Sequence, residues 1–110
     1  MSKPYDYAQI YTVVSTSEVE LTKAPSDKYR CIYTVVLHDL SGSTSEPNVV
    51  TFNIYKEDGS LDKSFKIPLT AYATKVIDCN KPIITLPPNY VLKAVTSVGD
   101  AQVMLVFTDE

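Results

Sequence analysis

The chain has 110 residues, of which 45% are apolar and 21% charged, with 3 Gly and 7 Pro. That is material for one hydrophobic core and not two, and it excludes disordered, collagen-like and low-complexity classes. Ten basic and thirteen acidic side chains leave a formal charge of −3, and the nine Lys and Arg30 are scattered, so no basic stripe exists to meet a nucleic-acid backbone.

Val, Ile and Thr together supply 31 of the 110 residues, joined by 8 Tyr against 3 Phe and no Trp. These are strand formers. Residues 1–8 read as an arm, ahead of a single β-sandwich domain over residues 9–110. No apolar run follows Lys3 and no N-glycosylation acceptor is present, so the expected compartment is the cytoplasm. The longest apolar run, residues 103–107, is far short of the roughly 20 that a membrane helix needs.

Strands are predicted over residues 9–15, 19–23 and 29–38. Between residues 48 and 69 the alternation is clear: Val50, Phe52 and Ile54 oppose Thr51, Asn53 and Tyr55, and Leu61, Phe65, Ile67 and Leu69 resume after Asp58-Gly59. That dipeptide predicts a hairpin with a type I′ turn. Further strands are expected over residues 73–79 and 83–86. A second hairpin is predicted where 90–98 meets 101–108 across Gly99-Asp100, with Leu92, Ala94, Val98, Ala101, Val103, Leu105 and Phe107 inward. About eight short strands without a helical period predict an all-β, two-sheet antiparallel sandwich of jelly-roll-like type.

Apolar residues outnumber the positions of one inward face. Ile32 and Val36 oppose Val35 and Leu37 on their strand, while Met104 and Val106 face away from Val103, Leu105 and Phe107. Either a loop or lysine stems cover the outer positions, or another subunit does. The tyrosines bring apolar area with a polar tip, which suits interfaces. The candidate interface set is therefore Tyr5, Tyr7, Tyr11, Ile32, Val36, Met104 and Val106.

Side chains for catalysis are sparse. His38 is the sole histidine and stands beside Asp39. Cys31 lies seven residues from it, so an unbroken strand directs the two to opposite faces. Neither a zinc-ligand spacing nor a phosphate-cradling glycine loop is present. Glu18 and Glu20 share one strand face, the ordinary place for solvated acids. Cys31 and Cys79 read as free thiols or as a disulfide closing a loop of about 49 residues, worth roughly 4 kcal/mol. The expectation is a non-enzymatic protein with no cofactor and no metal.

The C-terminal half resembles small β-sandwich virion accessory proteins of viruses and tailed phages. The residues that carry the likeness are Thr51-Phe-Asn-Ile-Tyr-Lys-Glu-Asp-Gly-Ser, Ile67-Pro-Leu, Lys81-Pro-Ile-Ile-Thr-Leu-Pro-Pro-Asn-Tyr-Val-Leu and Val98-Gly-Asp-Ala-Gln-Val-Met-Leu-Val-Phe-Thr. The resemblance implies a structural role in a capsid, tail or decoration layer, with the chain assembling as a trimer or ring alongside other virion proteins in the host cytoplasm. It implies no nucleic-acid or membrane partner and no catalytic residue. The alternative from another class is a carbohydrate-binding module in which Tyr55 and Tyr90 stack on glycan rings.

Overall fold

The computed structural model describes residues 7–110. Nine strands follow one another: β1 (Ala8–Val14), β2 (Val19–Lys23), β3 (Arg30–Asp39), β4 (Asn48–Tyr55), β5 (Leu61–Leu69), β6 (Thr74–Asp78), β7 (Ile84–Leu86), β8 (Val91–Thr96) and β9 (Ala101–Asp109). All ladders among the described residues are antiparallel. A five-stranded sheet has the order β1-β9-β3-β6, with short β7 also pairing β3, and a four-stranded sheet has the order β2-β8-β4-β5. With β7 set aside, this is the strand order of an eight-stranded jelly roll, the fold class predicted from the alternation.

The core lies between the sheets. Alternate residues of β4 (Val50, Phe52, Ile54), β8 (Leu92, Ala94) and β9 (Ala101, Val103, Leu105, Phe107) are buried, and Val35 and Leu37 of β3 meet them. Phe52 stacks on Phe65 of β5 at 5.0 Å between ring centroids. Truncating a fully enclosed side chain such as Phe52 would cost about 3–5 kcal/mol.

The β4–β5 hairpin forms where predicted, with a different turn. Gly59 donates to the Lys56 carbonyl and takes φ 89°, whereas Asp58 is not in the left-handed region. A type I′ turn needs positive φ at both central residues. Here the Asp58 carboxylate instead caps the turn by accepting from the Ser60 N–H and hydroxyl. One extra residue in β5 then shifts the register beside Ile54 and Tyr55, so Leu61 pairs with outward Tyr55 rather than facing the core.

The second predicted hairpin does not form. β8 pairs with β2 and β4 while β9 pairs with β1 and β3, so the Gly99-Asp100 segment crosses from one sheet to the other. The physical reason is Asn48, fully buried at the start of β4. Its side chain accepts from the N–H groups of Val98 and Gly99 and donates to the Gly99 carbonyl, using up the backbone groups that a hairpin turn would pair. Gly99 is needed there for closeness: a Cβ would stand 2.9 Å from the Ser41 side chain.

Asp39 completes this end of the sandwich. Its carboxylate, with 0% exposure, accepts from the Ser41 N–H and hydroxyl, the Gly42 N–H, the Tyr72 N–H and the Asn48 amide. Burial pushes this carboxyl up, but the hydrogen bonds from Ser41, Tyr72 and Asn48 outweigh burial and hold it well below the usual carboxylate range. At the other end Arg30 grips Asp109 through two 2.8 Å bonds, donates to Thr22 and lies 4.1 Å over the Phe107 ring.

A carboxyl depressed in the folded state stabilises fully above its unfolded value, and that contribution is lost as pH falls below about 4. Asp39→Asn replaces an acceptor with a donor facing the Gly42 and Tyr72 amides, so urea midpoints at neutral pH should report a loss of roughly 3 kcal/mol. The variant should also show a flatter acid limb than the native chain; an unchanged midpoint would refute the role given to Asp39.

Candidate functional site

The outer faces of the two sheets differ in their central rows. On the five-stranded sheet the ladder aligns Tyr11 of β1 with Met104 of β9, Met104 with Val36 of β3, and Val36 with Val76 of β6. These four side chains form one apolar row across every strand of the main path. Tyr11 is 60% exposed and Val76 63%, and Met104 and Val36 between them are half-buried. The row on one side is Gln9, Val106, Thr34 and Asp78, and the row on the other is Val13, Gln102, His38 and Thr74. Asp78 supplies the only carboxylate on the three rows, and it accepts from the Thr34 hydroxyl.

Of the sequence-predicted interface residues, Tyr11, Val36, Met104 and Val106 therefore come together on this face. Ile32 does not: it is fully buried in the core opposite Phe107. A bulge between Ile32 and Thr34 absorbs Tyr33 and reverses the alternation, so the parity that carries Val36 outward carries Ile32 inward. Tyr7 packs its ring on the chain's own Tyr33, 6.1 Å away and tilted by 50°. Tyr5 lies outside the described residues.

The same bulge bears on the thiol and imidazole. It brings Cys31 and His38 to one face of β3, but Cys31 pairs with Thr108 and Thr85 at one end while His38 pairs with Gln102 and Thr74 at the other. Seven residues of strand put roughly 20 Å between them, out of reach for a nucleophile and base. His38 Nδ1 is instead 2.7 Å from the Thr74 hydroxyl. Asp39 faces the opposite way into the core, so the adjacent pair forms no shared site. Both cysteines are free, Cys31 buried and Cys79 exposed, and no disulfide joins them. Burial first, and the Glu110 carboxylate second, push the Cys31 thiol up.

On the outer face of the four-stranded sheet, which also carries Val49, Val91 and Val95, a polar network ties neighbouring strands together. Glu18 accepts from the Tyr55 hydroxyl at 2.8 and 3.0 Å and from the Asn53 amide at 2.7 Å, and the Asn53 carbonyl accepts from Ser64. Lys93 lies 5.1 Å over the Tyr55 ring, and Glu20 pairs with Lys93 across the ladder. Sequence reading noted the shared face of Glu18 and Glu20 but missed the network, because its members come from four separate strand segments. Tyr90 is not part of it: it packs against the core cluster, a residue before outward Val91.

No family model matches this sequence, and no curated protein matches it. Among solved structures, the arabinose-bound α-L-arabinofuranosidase MgGH51 is similar at 12% identity and a TM-score of 0.45, over 86% of this chain and 18% of that one. The chain thus spans less than a fifth of that enzyme's length.

Exposure and the raised Cys31 thiol predict that a water-soluble thiol reagent labels Cys79 promptly and Cys31 only on unfolding. Mass spectrometry of the labelled native chain should show one adduct; two adducts at equal rates would contradict this placement.

Proposed function

We propose that the chain is a non-enzymatic assembly protein, a jelly-roll component of a virus particle that packs on neighbouring subunits through the outer face of its five-stranded sheet. The jelly roll serves viral capsid proteins and lectins alike, so the fold fits more than one role and the faces must separate them. The observation that carries the reading is the Tyr11–Met104–Val36–Val76 row. It is apolar across four strands, carries no ionised side chain, and is left open where a monomer ordinarily keeps polar groups. The virion context rests on the resemblance of the C-terminal half, whose Leu86-Pro-Pro-Asn turn is closed by the Tyr90 N–H on the Pro87 carbonyl with Asn89 at φ 66°.

Burying one exposed valine or methionine is worth about 1.5–3 kcal/mol. Replacing Met104 and Val76 with glutamate should therefore weaken self-association at least tenfold in sedimentation equilibrium, with the urea midpoint little changed. A native chain that stays strictly monomeric at micromolar concentration would remove the reading.

A second reading is supported by the other face. The Glu18–Asn53–Tyr55–Ser64 network holds hydroxyl, amide and carboxylate groups in fixed positions beside an aromatic ring, as recognition of a polyol requires. If glycans are the ligand, an array should give signals that Tyr55→Ala and Asn53→Ala abolish; an array without signal leaves assembly alone.

A further inference from the structure

The first sheet ends in β1 on one side and in β6 and β7, both paired with β3, on the other; the second ends in β2 and β5. An edge offers unpaired backbone N–H and C=O groups, and proteins that stay monomeric blunt it with charge, proline, a bulge or short length. All of these strands but β1 are blunted. β2 bears Glu20 and Lys23 and shifts register between Glu20 and Thr22. β5 bears Asp62, Lys63, Lys66 and Pro68 and has its own register shift. β6 is short and bears Lys75 and Asp78, and β7 has only three residues.

β1 has none of these devices. Its seven residues, Ala-Gln-Ile-Tyr-Thr-Val-Val, include no charge, proline or glycine, and it pairs with β9 along its whole length without a register shift. Tyr11 and Val13 are exposed on it. The edge is regularly paired, uncharged and rich in β-branched residues, which is the form that accepts another strand.

We infer that β1 pairs antiparallel with β1 of a second copy, about a two-fold axis at Tyr11, fusing the two five-stranded sheets into one. The inference deepens the assembly reading and rests on it. A second copy is the fitting occupant because an uncharged strand meets itself without like-charge repulsion, although each chain carries a formal charge of −3. Tyr11 is the central residue of the strand, so pairing over the full length sets Ala8 against Val14 of the copy, Gln9 against its Val13, Ile10 against its Thr12 and Tyr11 against its Tyr11. The contact is isologous and closes as a dimer. The apolar row that ends at Tyr11 then continues without a break through the Tyr11 of the copy to its Val76.

Directly opposed residues of antiparallel strands have Cα atoms about 4.5–5.5 Å apart, within disulfide range. In a full-length chain carrying Cys31→Ser and Cys79→Ser, Tyr11→Cys should therefore form a covalent dimer under mild oxidation. Gln9→Cys alone should not, because its own counterpart in the copy lies four residues along the strand, roughly 13 Å away. Mixing Gln9→Cys with Val13→Cys should restore cross-linking. In the unmodified chain, exchange of the β1 amides should slow by an order of magnitude as dilute protein is concentrated. If native mass spectrometry shows an oligomer but Tyr11→Cys fails to cross-link, or Gln9→Cys does so equally well, the β1 contact is wrong and assembly stands. If the unmodified chain is a monomer throughout, both fail.

Discussion

The fold turns on one buried carboxylate. Asp39 ends β3 in the five-stranded sheet with no cation beside it among the described residues, and a bare charge there would cost several kcal/mol. It is tolerated because donors arrive from separate parts of the chain: Ser41 and Gly42 just beyond β3, Asn48 at the start of β4 in the opposite sheet, and Tyr72 in the β5–β6 connection. Asn48 in turn grips the β8–β9 crossover. One charge thus brings the two sheets, a loop and a crossing together at the same end, and their spacing follows from its hydrogen bonds. The Arg30–Asp109 pair at the opposite end is partly open to solvent, where an ion pair is worth less.

With both ends fastened and the interior filled by β4, β8, β9 and β3, the faces are left to differ. The four-stranded sheet turns Glu18, Asn53, Tyr55, Ser64 and Lys93 to water as a connected polar surface. The five-stranded sheet turns out a row of apolar side chains and ends in an unblunted edge. Neither property helps the isolated domain, since apolar side chains in water contribute nothing to its core. The proposed assembly rests on this asymmetry.

Much of this was legible in the residues. Alternation located the strands to within a few positions, and the Asp58-Gly59 hairpin joined the two strands that pair. Strands apolar on both sides pointed to outer positions at Val36, Met104 and Val106, where the structure places them; Tyr11, singled out as one of the N-terminal tyrosines, lies in the same row. Ile32 went astray because alternation assumes an unbroken pleat, and a single bulged residue at Tyr33 reverses every assignment on one side of it. The Gly99-Asp100 hairpin went astray for a different reason. A glycine between two apolar runs looks the same whether the chain turns back within a sheet or crosses to the other, and the deciding partner, Asn48, is about fifty residues away in sequence.

By itself the sequence determined the class of structure, an antiparallel sandwich, because alternation and turn residues are local properties carried by neighbours. Which strands share a sheet, which face each bulged strand presents, and whether scattered polar residues form a hub or a surface network were decided only by tertiary structure. Those outcomes depend on pairings between residues tens of positions apart, whose free energy no local pattern contains. The apolar excess noted in composition became a surface only when four distant strands laid Tyr11, Met104, Val36 and Val76 side by side.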